Sequence, residues 1–529
     1  MLTVEQSPQR VLSLREGVRF ADVEGELVAR HRWGVTRLGR PAPAVRGALE
    51  ALRTGSPSED ELADLVLGAG AGTEADLASL LWTVSRLRFL VVRQVRWEGR
   101  TLISVTPIAT ASAFAPRDVE AGTALRLSRF AFSRRLVDEP VLESPLALER
   151  VTLSDPRAAA VVAALATTPL DLDDLARRSG LEVPAVAEVA GHLLGTGMVG
   201  AVRDGGLEED RDDALRQWDF HDLVFHSRSR RGRHDYSYGS AYRFRGEIAP
   251  LPAVKPAPPG AGIELHRPRF EELVAGDRTL TEILEARMSV RDHGEEPVAV
   301  EQLGDFLYRV ARVRATYGPM PEAGLPYEAS DRPYPTGGAG HDLELYLTVN
   351  RCRGLERGVY HYDPLAHRLH LLHRRRPEID AMLREASLSA AGAPPPHVLV
   401  TITSRFQRLA WKYDSIAYAA TLKNVGVLYQ TMYLVATAMG LAPCALGGGD
   451  SDLAARTFGL DPVRESSVGE FMLGSLPAGM PFAQQRERAL AYQRTWRPAN
   501  DPAWTRIRSQ VIRQPLTTGW PEPEGGDGG

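Results

Sequence analysis

The chain has 529 residues, 43% hydrophobic and 25% charged, with a formal net charge of −4. That length exceeds one core and predicts about three or four domains of ordinary soluble composition, while the charge balance gives no overall pull toward nucleic acid or an anionic membrane. Two cysteines, Cys352 and Cys444, stand outside any CxxC pair, which excludes a disulfide framework and zinc sites built on paired cysteines.

From the start, "MLTVEQSPQRVLSLREG" carries charges where a signal peptide needs an apolar run. No later stretch approaches the roughly 18 apolar residues of a membrane span, so a cytoplasmic chain without a membrane segment is expected. Within residues 1–110, "VRFADV" and "GELVARHR" alternate as strands. Three helical patterns follow, "APAVRGALEALRTG", "SEDELADLVLGAG" and "EADLASLLWTVSRLRFL", and a hairpin "VVRQVRWEGRTLISV" closes the set. This order predicts a winged-helix-like module. Residues 111–210 replay it, with "ALATTPLDLDDLARRS" aligning on "ALRTGSPSEDELADLV", so a second such module and an internal duplication are expected.

Residues 211–265 read as a connecting segment whose Pro/Gly-rich end (249–262) is a linker. Residues 266–515 form a compact α+β pattern. Its helices are "LTEILEARMS", "AVEQLGDFLYRVAR" and a long one over 415–439. Its strands are "LELYLTVNR", "GVYHYD", "RLHLLH", "HVLVTITS", "APCALGG" and "SSVGEFMLGS". Residues 516–529 have the composition of a disordered tail.

Three stretches imitate sites. "GAGAGTEADL" is spaced GxGxG between two helices and reads as a loop, not a phosphate cradle. His361, His367, His370 and His373 fit a hairpin alternating across a solvated face, and no metal site is expected. The basic run "HSRSRRGRH" invites nucleic acid, but the helix that would enter a groove is acidic and apolar, so no nucleic-acid partner is expected.

The chemistry-bearing residues lie after position 280. "ARMSVRDHG" places Arg287, Ser289 and Arg291 at i, i+2, i+4, where two forked guanidiniums and a hydroxyl can converge on a phosphate; many helix ends carry two arginines without doing so. "RPYPTGGAG" and "APCALGGGDSD" hold glycines that let backbone N–H groups approach a flat ring, or that simply permit turns. "WKYDSIAYAA" sets Lys412 and Tyr413 at the mouth of the long helix, as amphipathic side chains snorkelling or as reactive groups.

In this order, these pieces resemble the flavin-dependent nitroreductase superfamily. The stretches "RPYPTGGAGHDLELYLTVNRCRGLERGVYHYDP" and "KYDSIAYAATLKNVGVLYQTMYLVATAMGLAPCALGGGDSDL" resemble its SagB-like azoline dehydrogenases, with the cyanobactin-type thiazoline oxidases nearest. The likeness spans about residues 216–480. It implies an α+β nitroreductase-like FMN domain behind the two winged-helix-like modules, oxidising the thiazolines or oxazolines of a ribosomal precursor peptide to azoles. Position by position, it implies that Arg287, Ser289 and Arg291 hold the FMN phosphate. Pro335, Thr336, Gly337 and Gly338 line the isoalloxazine, Gly447 and Gly448 lie at its edge, and Lys412 and Tyr413 are catalytic, the lysine as base. A late basic residue, Arg486 or Arg488, completes the phosphate grip. The resemblance further implies a homodimer and a cyclodehydratase partner, and it leaves the N-terminal modules as leader-peptide binders or as scaffold. "LKNVG" and Gln430–Thr431 depart from the usual SagB-like pattern and mark a subgroup. A general NAD(P)H-dependent nitro or quinone reductase and a flavin-free scaffold are the competing functions.

Overall fold

The structure, a computed structural model, describes residues 7–68 and 72–477. Arg486, Arg488, the expected tail and the middle of the glycine-rich loop lie outside the described residues. The chain divides into two compact units, Met1–Ser237 and Tyr238–Gly529.

In the first unit, strands Arg19–Val23, Glu26–His31 and Gly34–Gly39 form a three-stranded sheet followed by helices Pro43–Thr54, Glu59–Leu67 and Glu74–Arg86. The sequence sets these helix starts. Pro43 stands in the first turn, and Ser58/Glu61 and Thr73/Asp76 form reciprocal capping boxes that satisfy orphan N–H groups. A second trio, Pro156–Thr167, Leu172–Ser179 and Val183–Gly195, repeats the order. One six-stranded sheet joins the two halves, because Arg100–Pro107 pairs antiparallel with Glu149–Leu153, Val151 opposite Val105.

The basic run ends in a buried ionic anchor within this unit. Asp235 accepts from Arg150 at 2.7 Å and Arg15 at 2.6 Å, and Arg150 also reaches Glu143 at 2.9 Å. Burial alone would raise the Asp235 carboxyl, but Arg150 and Arg15 overcome it and hold the group below its ordinary value.

The second unit is built on one antiparallel sheet. Its strands are β1 (Ile263–Glu264), β2 (Leu343–Val349), β3 (Gly358–Asp363), β4 (Arg368–His373), β5 (Val398–Arg405), β6 (Leu441–Leu446) and β7 (Glu465–Ser475), in the order β1-β4-β3-β2-β5-β7-β6. Alternation along β2 sends Leu343, Leu345 and Leu347 into one core with Phe306, Leu428 and Met432, while Tyr346 enters a second core with Ile379, Met382 and Phe458. The first core is completed by helices α2 (Val300–Ala311) and α4 (Ala417–Ala438), with α1 (Leu280–Ala286) packed on α4, and the second by α3 (Arg376–Ser389) and α5 (Ser451–Phe458).

Two sequence expectations change here. The long helix begins at Ala417, two residues late, because Ser415 is left-handed (φ 63°) and Tyr413–Asp414 pair as a short strand with Gly239–Ser240. The histidines do not alternate across a solvated face: His361 is 0%, His367 2% and His370 7% exposed. Distant residues cover them: Gly262 lies against the His370 ring, His367 Nε2 meets His266 O at 2.8 Å, and the His361 ring packs 4.9 Å from Tyr346, whose Oη accepts from Lys255 Nζ at 2.6 Å. Among the described residues no helix is long and apolar enough to cross a membrane.

Asp235→Ala would leave the buried Arg15 and Arg150 without their shared carboxylate. The variant is expected to lose about 3–5 kcal/mol from the first unit's urea transition, followed by far-UV circular dichroism.

Candidate functional site

The Lys412–Tyr413 pair follows a short helix, Gln407–Ala410, and is fixed from both sides. Trp411 Nε1 donates to Ile248 O at 2.6 Å, and Tyr242 N donates to Lys412 O at 3.2 Å. Lys412 is 8% exposed. Its Nζ donates to Tyr327 Oη at 2.5 Å and lies 4.9 and 5.0 Å from the ring centroids of Tyr327 and Tyr413. Opposite the amine stand phenols, whose ring faces attract a cation. Among the described residues no carboxylate pairs with it.

The glycine turn sits directly over this amine. Gly338 is left-handed (φ 59°), and a Cβ added there would overlap Lys412 Nζ and come within 2.8 Å of Tyr413 Oη. Glycine is therefore required twice, for its dihedral and for the space. The turn is held on every side: Gly337 N donates to Asn424 Oδ1 at 3.3 Å, Tyr327 Oη to Gly338 O at 2.6 Å, and Arg408 Nε to Gly340 O at 2.9 Å. Arg408 also donates to Leu251 O and Glu328 O, and burial pushes its guanidinium down to about 10. Behind the turn, Asp342 is 0% exposed and accepts from Ser404 Oγ, Thr421 Oγ1 and Asn424 Nδ2 at 2.7–2.8 Å. His341 contacts Tyr334 O at 3.1 Å through Nε2 and Ser330 Oγ at 3.2 Å through Nδ1, so Nε2 carries its proton and Nδ1 accepts. Burial, reinforced by Arg332, lowers this imidazole to about 4.

A second group gathers on the C-terminal half of α4. The capping box of Thr279 and Glu282 starts α1, and the chain leaves it extended, Val290 N donating to Pro443 O at 2.8 Å beside β6. Tyr433 organises the arginine segment: Arg287 lies 5.0 Å over its ring, and its hydroxyl meets Ser289 Oγ at 2.7 Å while accepting from Ala445 N at 2.8 Å. Arg291 is exposed. Among the described residues neither Arg287 nor Arg291 has a carboxylate partner. Gly447 and Gly448 are exposed after β6, and a side chain at Gly447 would meet open space. Gly449 is the confined one, since a Cβ there would overlap the Glu470 carboxyl, which burial raises to about 7.

The predicted residues thus fall into two groups. Pro335, Thr336, Gly337, Gly338, Lys412 and Tyr413 surround the N-terminal half of α4, and Arg287, Ser289 and Arg291 surround its C-terminal half. Asn424 and Tyr433, nine residues apart, mark the two positions, about 13 Å along the helix axis. Sequence reading missed Tyr327, Arg408, Asp342, Asn424 and Tyr433. Only Thr421 and Asn424 left a signal, two polar residues one helical turn apart on the same helix face, with the charged Lys423 between them turned away.

Two outcomes are expected. Gly338→Ala costs about 1–2 kcal/mol for the left-handed alanine and displaces the amine. Acylation of Lys412, mapped by mass spectrometry, should rise while the protein stays folded. His341, with His293 also lowered to about 4 by burial and by His397, stays neutral when the unfolded chain already binds protons near 6.5. The stability both supply is complete above 6.5 and is lost as pH falls through about 4. Glu470, raised to about 7, acts with the opposite sign, its contribution lost as pH rises from about 4.5 through 7. Urea midpoints over this range should therefore fall less with acid in His341→Asn, and less with base in Glu470→Gln.

Comparison with known proteins follows the same division. Residues 125–235 match the cyanobactin oxidase ThcOx family and residues 284–475 the nitroreductase family. A nitroreductase homologue of Methanocaldococcus jannaschii, MJ1384, is 27% identical over 36% of this chain and 85% of its own. The trifolitoxin-processing protein TfxB of Rhizobium leguminosarum bv. trifolii is 28% identical over 26% of this chain and 38% of its own. The microcin B17-processing protein McbC of Escherichia coli is 30% identical over 25% and 49%. The chain thus spans less than half the length of the two processing proteins. It carries a nitroreductase-family domain over residues 284–475 and a cyanobactin-oxidase-like segment over residues 125–235, which together mark it as an oxidoreductase.

Proposed function

We propose that this chain is an FMN-dependent dehydrogenase that oxidises peptide thiazolines or oxazolines to thiazoles or oxazoles during the biosynthesis of ribosomal peptide natural products. The observation that carries this reading is the buried Lys412 amine lying against the glycine turn, where a base and a ring-sized backbone surface meet. The cyanobactin-oxidase match and the two peptide-processing relatives support the substrate class.

The residues present fit FMN. Two guanidiniums that have no carboxylate partner among the described residues, with the Ser289 hydroxyl, supply donors for a phosphate dianion. The turn at Pro335, Thr336, Gly337 and Gly338, with Gly447 and Gly448, supplies backbone that a flat ring can approach. When bound, FMN supplies the hydride-accepting chemistry. The protein itself handles the other hydrogen. Lys412 Nζ takes the proton released from the azoline ring carbon, and Tyr413 Oη, over the same turn, hydrogen-bonds the substrate ring. The Asp342–Asn424 pair and Arg408 hold the turn in place while this happens.

The winged-helix-like modules and the homodimer belong to this proposal. Tyr418 and Leu422, one turn apart and exposed on α4, offer an apolar patch beside the turn that suits a second copy of the chain. A cyclodehydratase is the partner whose reaction class would supply the azoline. A general NAD(P)H-dependent reductase is favoured by the nitroreductase match alone, and the two readings differ in what reduces the flavin.

Anaerobic addition of an azoline peptide to the yellow protein should bleach the flavin and lower the peptide mass by about 2 Da per ring, the two hydrogens removed. Lys412→Ala should keep its flavin and lose azole formation about a hundredfold or more. Bleaching by NAD(P)H but not by the peptide would favour the general reductase.

A further inference from the structure

Among the described residues the amine of Lys412 has one hydrogen-bonding neighbour, and its chemistry is one-directional. The Tyr327 phenol carries a single hydrogen, which it donates to Gly338 O at 2.6 Å. Toward Lys412 Nζ, 2.5 Å away, it can therefore only accept. A neutral amine has two hydrogens and one lone pair. The contact with Tyr327 takes a hydrogen, so the lone pair lies in one of the remaining positions. Were the phenol free to donate, it would occupy that lone pair and silence the base.

We propose that Tyr327 is a positioning residue that keeps the Lys412 lone pair free by committing its own proton to the Gly338 carbonyl. This rests on the reading of Lys412 as the base of azoline oxidation. The same three atoms lock the base to the glycine turn, so that movement of the turn carries the amine with it. The surroundings of Tyr327 hold its hydroxyl in place. The residue is 3% exposed, its ring lies 6.3 Å from Trp411 and 6.4 Å from Tyr242, and Arg408 sits 5.9 Å over it. Burial raises the phenol above its ordinary value against the opposing pull of Arg408, so it keeps the proton it donates.

Tyr327→Phe removes the hydroxyl and retains the ring. In the full-length, flavin-loaded protein, kcat for an azoline peptide should fall about tenfold to a hundredfold with KM little changed, and flavin content should stay at the parent value. Acylation of Lys412, mapped by mass spectrometry with and without flavin, should rise about fivefold, the scale of one lost hydrogen bond. A peptide deuterated at the carbon that loses its proton should show a larger isotope effect in the variant. Tyr327→His, which keeps a donor and an acceptor on one ring, should restore the labelling toward the parent rate, whereas Tyr327→Leu, which also lacks the hydroxyl, is read in place of the phenylalanine variant should that variant fail to fold. Unchanged acylation overturns the proposal, as does a kcat loss accompanied by an equal loss of flavin. If Lys412→Ala keeps its turnover while acylation still rises in Tyr327→Phe, the base assignment falls and the hold of Tyr327 on the amine stands.

Discussion

One buried carboxylate organises the second unit. Asp342, with no exposed surface, stands just before β2 and accepts from Ser404 on β5 and from Thr421 and Asn424 on α4, while its carbonyl takes the Arg405 N–H. A desolvated carboxylate is tolerated only when its lone pairs are filled, and here the donors come from two separate elements, a strand and a helix. Sheet, long helix and glycine turn are therefore registered by one group. Asn424 passes the constraint on by accepting from Gly337, so the turn's position is a consequence of the core rather than of the loop.

The cations of this unit are sorted by what faces them. Arg408 is buried and donates from each of its three nitrogens to a backbone carbonyl, an arrangement that braces loops. Among the described residues Arg287 and Arg291 have neither carbonyl sets nor carboxylates, and a tyrosine ring steadies the first. Lys412 is intermediate, enclosed like Arg408 yet met by phenols. Charge placed without a counter-ion is costly for folding and useful for chemistry, and the contrast separates structural from reactive cations more sharply than residue type does.

Much of this was legible in the sequence, and the gaps have physical reasons. Period-two alternation in "LELYLTVNR" gives the strand Leu343–Val349, because both faces of a central strand must be filled in register. The start of the long helix is displaced because a left-handed Ser415 leaves no trace in hydropathy. The burial of His361, His367 and His370 was hidden for another reason: alternation tells which residues share a face, not what covers it, and cover comes from distant residues such as Gly262 over His370 and His266 beside His367. At the site, Lys412 and the turn residues emerged from motif order. Tyr327 lies on an irregular loop and is joined to them solely by folding, with no periodicity or spacing to announce it.

The shared volume at Gly338 has an evolutionary corollary. The lysine head group occupies the space that any side chain at this glycine would claim, so the two positions are not independent heritable units. A lineage that lengthens position 338 must shorten or redirect position 412, and one that abandons the amine is released to fill the turn. Drift at one position is thereby gated by the state of the other.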